Sequence, residues 1–325
     1  MATSGEHQGE SFLTVLVALV ANVAIAVAKS FAALLTGSAS MTAEAAHSWA
    51  DAGNEIFLLI AERRSRRAPD RAHPYGYGRD VYVWSLFAAV GLFTVGAVVS
   101  IMHGITQWGS EEPSQDSVVA YVVLAVAFVL EAVSFLRAVK QLRGAAADAD
   151  QDVLEHVLAT SDPTVRAVFF EDAAALIGLV LAAAGILLHQ LTGSAVWDAI
   201  GSIAVGVLLG VVAVLLIQLN RRFLIGQSPS PRVVAAVLAL LQEQEDVSSV
   251  SYLHLEYVGP ARVFLVAAVD LTGDAPEHEL AGRLTALARA VEQNDHVVEA
   301  VLTLTEPGAA PLVPSDDPVS TRLPR

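Results

Sequence analysis

The chain has 325 residues, of which 54% are hydrophobic and 16% are charged, and it contains no cysteine. Soluble domains carry about 25% charged residues, so this composition is typical of a membrane protein. The lack of cysteine excludes disulfides, thiolate metal ligands and cysteine nucleophiles, and the net charge of -15 argues against a nucleic-acid partner.

Six segments are long enough to cross a bilayer, which takes about 20 mainly apolar residues in a helix. The N-terminal tail at 1–10 lacks the basic start of a signal peptide, so we expect the first segment to be retained. The second and fifth segments are the least apolar because acidic residues interrupt them. The predicted helices are 11–35, 40–62, 81–107, 117–139, 165–190 and 196–219.

Among the connections that join or follow these helices, arginine and lysine occur only in alternate ones. The connections after the second, fourth and sixth helices are basic, whereas the other three contain no arginine or lysine. Because basic residues accumulate on the cytoplasmic side, this alternation predicts six spans with both termini in the cytoplasm. We expect a multi-pass protein of a bacterial-type plasma (inner) membrane, with a transmembrane domain at 11–226.

The chain becomes less apolar beyond this domain. Within the transmembrane domain, we expect a polar, partly helical segment at 144–163. After that domain, the region 227–306 alternates predicted helices and strands. The order helix, strand, strand, helix, strand predicts a small α+β domain, followed by a disordered tail at 307–325. Its predicted elements are Arg232–Gln244, Val250–Tyr257, Arg262–Leu271, His278–Gln293 and Val297–Thr305.

Ionisable side chains interrupt two of the predicted spans. His47 and Asp51 are four residues apart on one face of the second helix, and Glu171 and Asp172 interrupt the fifth. Each such charge costs about 2.5–3.5 kcal/mol in a bilayer and marks a functional site. An imidazole with carboxylates suits Zn²⁺ and also accepts Mn²⁺ or Fe²⁺. We therefore predict a divalent-metal site between the two helices.

The roles within this acidic set are open in two respects. Adjacent residues point about 100° apart on a helix, so Asp172 is the favoured ligand. Glu171 then either supports a ligand or points toward a neighbouring helix. Lys29 in the first helix and Glu131 in the fourth are either structural counter-charges for each other or part of a proton relay.

Several motifs occur in a fixed order along the chain: SASMTAEAAHSWAD, HPYGYGR, SDPTVRAVFFEDAAALIG and WDAIGSIAVGVLLG. This set resembles the cation diffusion facilitator family, and within it the zinc transporter 9-like branch, over about residues 10–305. The resemblance implies an α-helical polytopic membrane protein with six transmembrane helices and a small α+β ferredoxin-like cytoplasmic domain. It also implies a homodimeric, proton-coupled exporter of Zn²⁺ or a related ion, with the ion as substrate and no prosthetic group.

The family's transport site has two residues, four apart, on each of the second and fifth helices. His47, Asp51 and Asp172 match this pattern, whereas Val168 stands where a histidine is expected, and Glu171 is the candidate to compensate.

A second metal site found in some members corresponds to a loop in this chain. Asp70 and His73 have suitable ligand types there, but Tyr77 replaces a histidine. The alternative is that His73 only orders the turn.

Three functions remain in competition. The first is a Zn²⁺/proton antiporter, or a Mn²⁺, Fe²⁺ or Co²⁺ exporter of the same fold. The second is a membrane scaffold or regulator that does not transport. The third, an intramembrane hydrolase, is disfavoured because the sequence contains neither HExxH nor GxSxG.

Overall fold

The computed structural model describes residues 6–108, 117–148 and 151–313. The chain divides into two compact units. One comprises the chain up to Arg63 together with Tyr82–Arg221, and the other comprises Arg64–Val81 together with the chain from Arg222 onward.

The first unit is helical. Its third predicted span is continuous but changes pitch, because a π-helical segment at Leu92–Val98 separates two α-helical parts. Such segments widen a helix locally and are rare. The helices are α1 Glu6–Thr36, α2 Ala39–Ser65, α3 Asp80–Gly91, α4 Val99–Gln107, α5 Ser117–Asp148, α6 Val153–Ala159, α7 Pro163–Thr192 and α8 Val196–Leu224.

Five helical stretches in the described chain are long and apolar enough to cross a membrane. They correspond to the first, third, fourth, fifth and sixth predicted spans. α2 is 27 residues long, but its buried polar side chains and its terminal arginines lower its hydropathy. The prediction that the fifth span is one of the two least apolar is wrong, because Ala173–Leu188 offsets the acidic pair and the first span is less apolar.

Glycines allow the helices of this unit to approach closely. A Cβ atom on Gly206 of α8 would lie 2.9 Å from the carbonyl oxygen of Ala97, and one on Gly104 would lie 2.8 Å from that of Ala199. Lipid offers no hydrophobic driving force between helices, so close packing of this kind stabilises a membrane bundle.

The beginning of α2 is fixed by a buried carboxylate from α8. Asp198 is 3% exposed and accepts hydrogen bonds from the Ser38 hydroxyl at 2.9 Å and from the backbone amides of Ala39 and Ser40. These amides have no partner within the helix, so Asp198 satisfies them. On α7, Asp162 caps the helix by accepting from the amide of Thr164. The two helices that carry the predicted site therefore begin at defined residues.

The second unit contains the α+β region. Its three-stranded sheet follows chain order. The second strand lies in the middle, antiparallel to the first and parallel to the third. Apolar residues such as Leu241, Leu265 and Leu287 join the helices to the sheet in one core. The elements are α9 Pro231–Gln242, β1 Val247–Gly259, β2 Arg262–Leu271, α10 Glu277–Val291 and β3 Val297–Leu304.

The predicted boundaries differ from the observed ones in two regions. α5 continues to Asp148, and the predicted segment at 144–163 is reduced to α6 and its connections. At the other end of the chain, the amide of Leu312 donates to the carbonyl oxygen of Val250 at 2.7 Å, so order extends into the tail. Residues 314–325 lie outside the described chain.

The loop between α2 and α3 belongs to the second unit. Tyr75 packs on Phe264 of β2 with ring centroids 5.0 Å apart, and Arg79 forms an ion pair with Glu256 of β1. Gly78 lies against the β1–β2 turn, where a Cβ atom would be 2.5 Å from the carbonyl oxygen of Val258. The HPYGYGR motif therefore packs on the sheet.

Candidate metal-transport site

His47 and Asp51 lie together on α2, as their spacing predicts. The Nε2 atom of His47 is 3.1 Å from Oδ2 of Asp51, and His47 is 1% exposed. The pair is close without hydrogen-bond geometry, and both ring nitrogens are unpartnered among the described residues. The imidazole therefore keeps its lone pair available for a cation.

Glu171 of α7 reaches toward α2. Its Oε2 atom accepts a short hydrogen bond from the side-chain amide of Asn54, and Glu171 is 8% exposed. This contact agrees with the expectation that Glu171 supports the site or points toward another helix. Asn54 lies three residues after Asp51, so the same helical spacing that selected Asp51 would also have identified it.

Asp172 points in a different direction from Glu171. Its Oδ2 atom accepts a hydrogen bond of 2.9 Å from the hydroxyl of Ser134 on α5. The two adjacent carboxylates thus have separate partners on separate helices. Their predicted angular separation accounts for this division.

A cavity of about 640 Å³ lies between α1, α2, α5 and α7. Its polar lining combines five carboxylates with one guanidinium, inside helices that are otherwise apolar. The lining includes Asp51, Glu55, Glu131, Glu171 and Asp172, together with Asn22, Asn54, Ser134, Arg137 and Val168.

This cavity brings together three of the four predicted transport residues. His47 is not in its lining, although it lies beside Asp51, which is. Val168, where the resemblance leads us to expect a histidine, does line the cavity. Within the described chain, no three His, Asp or Glu side chains converge closely enough to hold a metal ion. The carboxylates are distributed around the cavity in this conformation.

Glu55 was not selected from the sequence, although it lies four residues after Asp51. Its Oε1 atom accepts a hydrogen bond of 2.9 Å from the side-chain amide of Asn22 on α1. Glu55 and Asn22 both line the cavity. The periodicity of α2 alone would have indicated Glu55, because residues three and four apart share one face.

Lys29 does not pair with Glu131. Its ammonium lies 2.9 Å from Oε2 of Glu44 on α2, and both side chains are completely buried. The expected Lys29–Glu131 pairing is therefore wrong as a direct contact. Glu131 instead lines the cavity. The spacing of residues along the sequence did not single out Glu44, because its partner Lys29 lies on another helix.

Asp70 and His73 also lie together, in the loop of the second unit. Oδ1 of Asp70 accepts from the amides of Ala72 and His73 at 2.8 Å, and Oδ2 accepts from the Tyr77 hydroxyl at 2.7 Å. The His73 and Tyr77 rings stack with centroids 4.1 Å apart. These contacts engage both carboxylate oxygens in the turn.

The electrostatics of this loop follow from the same contacts. The Tyr77 hydrogen bond, followed by the backbone amides, lowers the pKa of Asp70 to about 2. The same hydrogen bond raises the pKa of Tyr77. The Asp70 carboxylate is therefore ionised and accepts hydrogen bonds through both oxygens, which favours a turn-ordering role.

The family follows from a comparison with known proteins. A model of the cation efflux transmembrane domain matches residues 15–225. This chain belongs to the cation efflux family. The predicted resemblance is confirmed, and with it the fold class of a polytopic helical membrane protein with a small α+β domain. The family's members are transporters rather than enzymes.

Relatives within the cation efflux family differ in their named metals. Metal tolerance protein C4 of Arabidopsis thaliana is 38% identical over 231 residues, which cover 71% of this chain and 50% of that protein. The mitochondrial proton-coupled zinc antiporter SLC30A9 of Xenopus laevis is 37% identical over 245 residues, covering 75% and 44%. The manganese efflux system protein MneP of Bacillus subtilis is 23% identical over 253 residues, covering 76% and 80%. The chain spans about half the length of the first two relatives.

Proposed function

We propose that this chain exports divalent metal ions in exchange for protons. In this proposal His47, Asp51 and Asp172 bind the ion, and Glu171 supports these ligands without binding the ion itself. The observation that carries the proposal is the cavity with five carboxylates between α1, α2, α5 and α7. So many acidic groups inside apolar helices are costly unless cations bind between them.

Coupling to protons follows from the chemistry of these ligands. A metal ion binds to ionised Asp51 and Asp172 and to neutral His47, so metal and protons compete for the same atoms. In the proposed cycle, a metal ion entering from the cytoplasm displaces protons. After the helices rearrange, protons from the opposite side displace the ion. Glu131 and Lys29 stay candidates for a relay of charge.

Zn²⁺ is the leading cargo, and the name of the Xenopus relative supports it. Mn²⁺, Fe²⁺ or Co²⁺ is the alternative, and two observations favour it. The cavity lining is rich in oxygen ligands, which suit harder ions, and one relative is named for manganese efflux. A scaffold that does not transport explains neither the unpartnered nitrogens of His47 nor the buried carboxylates.

The setting of the transporter is proposed from sequence and family. We infer a bacterial-type plasma membrane, cytoplasmic termini, contact with lipid around the helices, and a homodimer. For the loop, we infer that Asp70 and His73 order the HPYGYGR turn rather than bind metal, because both oxygens of Asp70 already accept hydrogen bonds.

The test is uptake of Zn²⁺, Mn²⁺, Fe²⁺ and Co²⁺ into proteoliposomes, with Asp51→Ala and Glu171→Gln measured beside the wild type. Gly53→Ala is the matched control on α2, because a Cβ atom there meets nothing within 4 Å. We expect loss of uptake in Asp51→Ala, partial uptake in Glu171→Gln and full uptake in Gly53→Ala. Negligible metal binding and transport in wild type and Asp51→Ala alike would contradict the proposal and favour the scaffold.

A further inference from the structure

On α1, α2 and α7, the residues that line the cavity stop short of a buried ion pair. The lining of α1 extends as far as Ile25, that of α2 begins at Asp51, and that of α7 extends to Ala175. One or two turns further in the same direction lie Lys29 and Glu44, whose ion pair is completely buried. This pair lies between the cavity and the end of the bundle where α2 begins.

Glu44 continues the row of polar residues on α2. It precedes His47 by three residues and Asp51 by seven, so the three share one helical face, with Glu44 about 10 Å from Asp51 along the axis. One oxygen of Glu44 contacts Lys29, and the other is unpartnered among the described residues. Both ring nitrogens of His47 are unpartnered as well.

Space at Glu44 is created by a glycine of the facing helix. A Cβ atom on Gly178 of α7 would lie 2.6 Å from Oε1 of Glu44. The free carboxylate oxygen therefore rests against bare backbone. A purely structural ion pair would be expected to have both oxygens satisfied, because an unpartnered buried acceptor is destabilising.

We propose that Glu44 is a further ligand for the transported metal ion, and that the Lys29 ammonium is a tethered cation that competes with the metal for it. The inference rests on the proposed function, since it extends the path from Asp51 and His47 by one step. When a divalent ion reaches Glu44, the ammonium leaves the carboxylate. When the ion departs, the ammonium returns and closes the path behind it.

A tethered cation gives the path a physical advantage. A carboxylate buried among helices without a partner would hold a divalent ion tightly or remain protonated. The Lys29 ammonium lies on one oxygen of Glu44 and competes with a metal ion for that carboxylate. Lys29 thus sets the metal affinity of Glu44, an intermediate site on the path that must bind the ion and also release it.

The test is equilibrium dialysis of the purified full chain against Zn²⁺ at pH 8, where protons compete least for a freed carboxylate. We expect Lys29→Met to bind a further Zn²⁺ per chain, or to bind Zn²⁺ about tenfold more tightly than the wild type. Lys29→Arg keeps the positive charge and should match the wild type. The double variant Lys29→Met/Glu44→Gln should lose the gain, which would locate the additional ion at Glu44.

Removal of a buried charge can prevent folding, so Lys29→Gln provides a second uncharged variant that can still donate a hydrogen bond to Glu44. Unchanged Zn²⁺ stoichiometry and affinity in the folded uncharged variant would overturn the inference. Asp51→Ala in the same assay tests the proposed function separately. If Asp51→Ala loses Zn²⁺ while the Lys29 variant is unchanged, the tethered-cation inference alone fails. If the wild type binds no Zn²⁺, both fail.

Discussion

The side-chain amide of Asn54 donates a hydrogen bond to the carboxylate of Glu171, and this contact joins α2 to α7 inside the bundle. Asn54 is 2% exposed and Glu171 is 8% exposed, so both groups are buried. Because the carboxylate can only accept, the amide nitrogen must face it. The contact therefore fixes the spacing of the two helices that carry the proposed ligands.

Replacement of Asn54 by leucine tests this role. Asn54→Leu leaves the Glu171 carboxylate without its donor, and an unsatisfied buried polar group costs about 1–3 kcal/mol. We expect a lower thermal midpoint in detergent and slower metal uptake. Gly53→Ala, on the neighbouring position of α2, should change neither quantity. Wild-type stability in Asn54→Leu would show that the contact does not hold the helices.

The neighbouring acids of α7 should respond differently to neutralisation. Glu171→Gln retains an oxygen that accepts from Asn54, so we expect it to keep measurable uptake. Asp172→Asn removes a proposed ligand and should abolish uptake, while its contact with Ser134 can be maintained. Uptake rates in proteoliposomes at matched protein density give the comparison. The reverse order of damage would exchange the roles assigned to the two residues.

Val168 offers a gain of function. It lines the cavity four residues before Asp172, at the position where the resemblance leads us to expect a histidine. Val168→His adds a nitrogen ligand that Zn²⁺ favours, so we expect the preference for Zn²⁺ over Mn²⁺ to rise by about tenfold. Val168→Thr changes polarity without adding nitrogen and serves as the control. An equal ratio in wild type, Val168→His and Val168→Thr would place this position outside the ion path.

The loop of the second unit makes a prediction about pH. The folded pKa of Asp70 is about 2, below its ordinary value of about 3.9, because Tyr77 and backbone amides donate to the carboxylate. Its stabilising contribution is therefore present above about pH 4 and is lost as the pH falls through about 2. Tyr77→Phe should move the carboxyl titration, followed by NMR of labelled aspartate, toward the ordinary value. Asp70→Asn assigns the signal, and an unshifted titration in Tyr77→Phe would contradict the geometry.

Periodicity predicted most of the fold and part of the site. Apolar runs located the membrane helices, and the i, i+4 spacing brought His47 and Asp51 together as observed. The same spacing on α2 also places Asn54 and Glu55 on that face, but neither was selected, because their partners lie on other helices. Spacing reports which residues share a face, but it does not report what that face meets.

Contacts between helices account for the remaining differences. Lys29 contacts Glu44 rather than Glu131, and the sequence does not show which side chains of different helices meet. His47 is absent from the cavity lining, because the part of α2 that lines the cavity begins at Asp51. Spacing along the sequence does not show where a cavity ends. For α5, the alanines after Arg143 are strong helix formers and extend the helix to Asp148, beyond the apolar run.

The most direct test of the proposed exchange is the simultaneous measurement of Zn²⁺ and pH inside sealed proteoliposomes that contain the wild-type chain, with no imposed pH gradient. When Zn²⁺ is added outside, we predict that Zn²⁺ enters while protons leave, so the interior becomes alkaline. Asp51→Ala should show neither change. Entry of Zn²⁺ with no change in internal pH, at clamped membrane potential, would contradict proton exchange.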